Sequence, residues 1–177
     1  MRKMIIFILP IVALGQARSA LDVCELLSRI QDLNGHMVTV KGPILPWELA
    51  LAGEDCTSHI VVKGWKFPDA IAILPTTADR RLLLHPLDFS APEEFDKLNR
   101  LKKDAAARGR HIVCNCTGMV ETRTPMDRMI KGRQWGTLGF GIQGWLPAQM
   151  VIKSVDRCHE ETGKIRLGSE GWVGPEQ

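Results

Sequence analysis

The chain has 177 residues, 45% of them hydrophobic and 24% charged, with 23 basic against 20 acidic side chains and a formal charge of +3. That length fits one domain with a sizeable core. Without Arg2, Lys3 and Arg18 the count is 20 basic against 20 acidic, which excludes the broad positive field expected of a nucleic-acid binder.

The amino terminus reads as a secretory signal peptide. Arg2 and Lys3 form a positive start, residues 4–14 are uncharged and apolar apart from Pro10, and residues 15–20 are rich in small side chains. This is the layout of a cleavable export signal, and the apolar run is about half of what a bilayer-spanning helix needs. The expectation is a signal peptide over residues 1–19, cut after Ala17 or Ser19, with no transmembrane segment left after cleavage. The mature chain is then periplasmic or secreted, where disulfides form. Asp22-Val23 stands before Cys24 in place of the small residues of a lipobox.

Residues 22–33 predict an amphipathic helix, with Val23, Leu26, Leu27, Ile30 and Leu33 at helical spacing. Asp22 caps it and Asn34-Gly35 stops it. His36 to Lys41 alternates as a half-buried strand, ended by Gly42-Pro43. A loop with Trp47 and Cys56 follows, then short apolar strands at 60–62 and 70–74 around a turn. Ser90 and Glu93, with Pro92 between them, predict a capping box at the start of a helix lined by Phe95, Leu98, Leu101 and Ala105. The charges along this helix follow its dipole and read as a solvated face. His111 to Arg123 is the longest strand candidate, with Gly118 placed for a bulge. Residues 124–147 form a glycine-rich loop, Ala148 to Val155 the last strand, and residues 161–177 a polar tail, with 168–177 expected loose.

Five cysteines remain after the signal: Cys24, Cys56, Cys114, Cys116 and Cys158. Sequence leaves their connectivity open. Cys114 and Cys116 lie two apart on a strand and share a face, so they compete for Cys158. The favoured pairs are Cys24–Cys56, and Cys158 with one of the other two. A zinc site built from Cys114, Cys116, Cys158 and His159 has poor ligand spacing, since structural sites separate paired thiols by two or more residues on a tight turn.

Catalytic motifs are scarce. Gly139-Phe140-Gly141-Ile142-Gln143-Gly144 matches a dinucleotide fingerprint in letters, but Trp145-Leu146-Pro147 follows where a helix would have to begin. The histidines are scattered, and no serine sits in a nucleophile elbow. No cofactor and no metal is expected, and an enzymatic role is disfavoured. Candidate binding residues lie in the two long loops: Trp47 in the first, and Arg123, Arg128, Arg133, Trp135 and Trp145 in or beside the second. Loop tryptophans offer contact area at low entropic cost.

The order of elements is helix, three strands, helix, two strands. After the leading helix, this is the order of an OB fold. Cys24-Glu25-Leu26-Leu27, Asn34-Gly35 running into Val38-Thr39-Val40-Lys41-Gly42, and Phe67-Pro68-Asp69-Ala70-Ile71 together resemble small exported bacterial proteins of unassigned function. The resemblance implies a five-stranded OB-like barrel behind an amino-terminal helix, one domain over residues 20–160, and carries no catalytic residue. The expected function is a non-enzymatic binding module outside the cytoplasm, with a protein, glycan or small ligand of the cell envelope as partner and no nucleic acid. The alternative is a thiol-dependent redox protein using Cys114 and Cys116.

Overall fold

The computed structural model describes residues 19–62, 64–123, 139–141, 144–168 and 171–172. In chain order the elements are β1 (Leu21–Asp22), α1 (Val23–Ser28), β2 (Met37–Pro43), β3 (Ala50–Ala52), β4 (Val61–Val62), β5 (Trp65–Lys66), β6 (Ala70–Leu74), a 3-10 turn (Arg80–Leu82), α2 (Pro92–Ala107), β7 (His111–Glu121), β8 (Gln149–Glu161) and β9 (Gly171–Trp172).

Local chemistry accounts for most of these limits. Asp22 caps α1 by accepting the N–H of Glu25 at 2.6 Å, and the chain leaves the following turns at Gly35, whose φ of +78° suits a residue without Cβ. α1 is shorter than the predicted helix: six residues, then turns. The expected capping box does not form. Ala91 is the N-cap of α2 and makes no side-chain cap bond. Thr76 fixes the entry instead, its hydroxyl accepting the N–H of Ala91 at 3.1 Å. Glu94, in the first turn, is committed elsewhere, to β8.

Six strands form one curled sheet in the order β1-β2-β7-β8-β6-β3. β2 and β8 flank β7 antiparallel, β6 runs parallel to β8, β3 is antiparallel to β6, and β1 is parallel to β2. Gly118 marks a shift of register, since a Cβ there would stand 2.4 Å from the carbonyl oxygen of Val151. A second irregularity beyond Val113 accompanies Arg157 at φ +48°.

The sheet is a half-barrel rather than the closed five-stranded barrel that was expected. Two causes are visible. The predicted strand at 60–62 leaves the main sheet and joins a separate three-stranded sheet, β4-β5-β9. Its place is taken by β3, a three-residue strand from the predicted loop, and the return to β2 is a single antiparallel bridge between Ile44 and Leu51. β1 also adds a strand on the outer side of β2. The tail is docked in part: Ile165 and Leu167 pack on a core cluster, and β9 pairs with β5.

Two apolar clusters hold the fold. The larger packs α1 and α2 on one face of the sheet, around Leu26, Val40, Ile71, Leu98, Cys116, Met150 and Ile152. The smaller gathers Leu45, Ala50, Phe67, Ala72, Phe140 and Leu146. Cysteine pairs at bonding distance staple both ends. Cys24–Cys56 ties the start of α1 to the first long loop, and Cys114–Cys158 joins β7 to β8. Sequence separations of 32 and 44 residues correspond to about 4 kcal/mol each in the chain-entropy model. Cys116 is the free, buried thiol.

Candidate functional site

A cleft of about 590 Å³ opens where α2, β6 and the long loops meet, within the size range of small-ligand sites. α2 contributes Phe95, Asn99 and Lys102, which share a stripe because residues three and four apart are neighbours on a helix. β6 supplies Ala72, Ile73 and Leu74. Trp47, Glu48 and Leu49 come from the loop before β3, and Gly139, Phe140 and Gly141 form the opposite wall with Arg123. That wall is a tight hairpin. Phe140 donates its N–H to Leu146 at 2.8 Å and accepts one back at 3.0 Å. Gly139 and Gly141 are required there, since a Cβ would fall 2.1 Å from the Leu146 carbonyl oxygen and 2.5 Å from the Glu48 carboxylate respectively. Gly139 and Gly141 thus belong to a bridge between Phe140 and Leu146, and residues 145–148, where the fingerprint needs a helix, are not helical.

A buried carboxylate fixes the remaining side. Glu121, at the end of β7, is fully buried. Its Oε1 accepts the N–H groups of Leu84 at 2.9 Å and His85 at 2.8 Å. Its Oε2 accepts the amide of Gln149 at 2.6 Å, and the same amide donates to the carbonyl of Leu82 at 2.7 Å. This network clamps the 82–85 segment, whose Leu82 and Leu84 line the cleft, to the end of the sheet. Buried polar groups satisfied in this way specify one geometry.

The charge of the cleft comes from Arg81, Lys102 and Arg123 against Glu48. Arg81 is neutralised by Asp79 at 2.6 Å. Arg123 stands 5.3 Å from the Phe140 ring centre, in cation–π contact. Among the described residues no carboxylate comes within ion-pair distance of Lys102. Desolvation, helped by the like charge of Lys103, pulls its pKa below the ordinary lysine value, and the more distant Glu48 opposes this. The basic run of α2, read from sequence as a solvated face, therefore sends one member into the cleft.

Of the sequence candidates, Trp47 and Arg123 meet in this cleft. Trp47 is 65% exposed. Trp145 is also exposed and follows Gly144, which lines the cleft, but does not line it itself. Arg128, Arg133 and Trp135 lie outside the described residues. Glu121, Gln149 and Lys102 were missed. The available signal was a lone glutamate between the apolar Met119-Val120 and the next turn, on a strand otherwise read as core.

Two other constellations have chemical potential. His59 Nδ1 lies 2.9 Å from both oxygens of the buried Asp69, and Gly168 packs so closely that a Cβ there would sit 2.2 Å from the carboxylate. This orients the imidazole, but among the described residues no group of three metal-ligating side chains gathers there or elsewhere. The second is Cys116, fully buried beside the Cys114–Cys158 bridge. Burial, with Asp156 and Glu94 adding to it, pushes its thiol up to about 12. Nucleophilic cysteines have the opposite shift. Among the described residues no helix is long and apolar enough to cross a membrane. The chain matches no protein-family model, no curated protein and no solved structure.

Proposed function

We propose that this chain is an exported, non-enzymatic binding module whose ligand occupies the cleft between Trp47, α2 and the Gly139–Gly141 hairpin. The observation that carries the reading is the cleft itself: an apolar floor, an exposed tryptophan on the rim and a lysine that has no carboxylate within ion-pair distance among the described residues, all on walls fixed by the fold. The two cysteine pairs support a place outside the cytoplasm. The thiol-based alternative has less behind it, because Cys114 is bridged and Cys116 is held protonated.

The strand pairing also supports a distant OB-like reading. Taking β2, β3, β6, β7 and β8 as five strands, the first pairs with the fourth, the fourth with the fifth, the fifth runs parallel to the third, and the third pairs with the second. The cleft then lies over the third strand between the loops that follow the first and fourth, the region where OB folds carry ligands.

Ligand-dependent stabilisation of the mature protein tests the function. A ligand present at a hundred times its Kd should raise unfolding free energy by about 2.7 kcal/mol, and the Trp47→Ala variant should lose that gain while keeping its own melting temperature. A panel of envelope glycans, peptides and small acids that never shifts the melting curve would count against the reading, as would shifts that Trp47→Ala leaves intact. Detection of the protein in the periplasm or medium with residues 1–14 absent tests export.

A further inference from the structure

We infer that the ligand is an acidic oligosaccharide of the uronate type, lying along α2 and stacked on Trp47; this rests on the cleft being the binding site. A second cleft, of about 390 Å³, adjoins the first, and Trp47 lines both. On its far side stand Ala106 of α2, Arg110 and Lys164. Phe95, Asn99, Lys102 and Ala106 therefore make one continuous stripe along α2, about 16 Å long, with Trp47 shared by the two clefts that it lines. A ligand that fills both clefts is elongated and crosses a flat aromatic ring.

The charges repeat on either side of that ring. Asp79 neutralises Arg81, and Glu160 lies 3.5 Å from Arg110. Lys102 before the indole and Lys164 beyond it have no carboxylate within ion-pair distance among the described residues. The matching ligand carries negative charge on either side of a rigid apolar face. A chain of uronate sugars has that pattern: one carboxylate per ring and a C–H face that packs against the electron-rich surface of an indole. Asn99 adds an amide for hydroxyl groups. Lys102, partly desolvated in the empty cleft, regains a favourable environment for its charge beside a carboxylate.

Other extended ligands fit less well. An acidic peptide in strand form needs a free sheet edge, but β6 at the cleft floor is flanked by β8 and β3. The N–H groups of Ala72 and Ile73 are already given to Ala148 and Leu49. Single-stranded nucleic acid needs a cation for nearly every phosphate and several stacking rings, whereas among the described residues this groove has one exposed ring and few unneutralised cations.

The test is calorimetric titration of the mature protein with oligogalacturonate, oligomannuronate and hyaluronate oligomers, beside maltotetraose, tetraglutamate and a short oligothymidylate. Saturable binding of at least one uronate chain is expected, with no heat from maltotetraose. Trp47→Ala should weaken it at least tenfold and Lys102→Gln several-fold, while Lys41→Gln, on the exposed side of β2, leaves it unchanged. Both groove variants alter surface side chains, and their melting curves establish that they fold. Absence of uronate binding up to about 1 mM overturns the inference. If tetraglutamate or oligothymidylate binds instead, with the same dependence on Trp47 and Lys102, the cleft stands as the site and the glycan identity falls. Uronate binding indifferent to both substitutions overturns the site as well.

Discussion

Cys116 shows how burial, aided by the nearby carboxylates of Asp156 and Glu94, redirects a side chain's chemistry. Its thiol is pushed from 9.0 to about 12. The unfolded chain therefore releases this proton above about pH 9, while the folded chain retains it until about pH 12, and stability falls with rising pH across that window. The loss is about 1.4 kcal/mol per pH unit. Cys116→Ala should remove this slope: urea midpoints of wild type and variant measured at pH 8 and pH 10.5 should converge at the higher value, and parallel curves would refute the assignment. Glu121 matters instead as a buried hydrogen-bond acceptor. Glu121→Ala strips the partner from the N–H groups of Leu84 and His85 and from the Gln149 amide. A buried donor left unsatisfied costs about 1–3 kcal/mol, so urea unfolding should register a loss of at least about 3 kcal/mol, and tryptophan fluorescence should report a loosened cleft. These residues differ in how legible they are. Trp47 and Arg123 stand out in sequence because large or charged side chains in loops suggest contact surfaces. Lys102 and Glu121 sit in regular elements where a charge normally means solvent, and only the tertiary arrangement turns them inward.

α2 and β8 display a contact that no pattern in either segment announces. Beyond Val151, among the described residues, β8 has no strand on the side away from β7, and α2 covers that edge instead. Glu94 Oε2 accepts the N–H of Val155 at 2.7 Å, and Lys97 Nζ donates to the carbonyl of the same residue at 2.7 Å. A carboxylate and an ammonium one helical turn apart thus stand in for a strand. Edges left bare invite association with other chains. Glu94→Ala should cost about 1–3 kcal/mol and accelerate hydrogen exchange at the Val155 amide; unchanged protection there would show that the edge is satisfied by something else. The capping-box expectation failed because the helix starts one residue later than Ser90: Ala91 is the N-cap, it has no side chain to cap with, and its own N–H is given to Thr76. β3 was illegible on different grounds. Ala50-Leu51-Ala52 is buried on both faces, so it has neither alternation nor length to separate it from a loop. The long strands β7 and β8 were readable because eleven and thirteen residues give periodicity room to show.

The whole molecule combines a legible element list with an architecture that the list underdetermined. Helices and long strands follow from spacing, Cys24–Cys56 is the pair that was favoured among open connectivities, and Cys114–Cys158 resolves the choice left for Cys158. The separate β4-β5-β9 sheet and the half-open curl depend on pairings between distant segments, which local patterns do not encode. One consequence of the strand order concerns timing. β8 is the last long strand to leave the ribosome, yet it lies inside the sheet, with β7 on one side and β6 on the other. Until residues 149–151 arrive, β6 and β3 are tied to the rest of the main sheet, among the described residues, only through the bridge between Ile44 and Leu51. The N-terminal part of the chain thus cannot complete its sheet during synthesis, and such long-range pairings close slowly. A fragment ending at residue 147 should show no cooperative melting and no near-ultraviolet dichroism, while addition of residues 148–161 restores both. The main sheet is thus locked by a keystone delivered at the end.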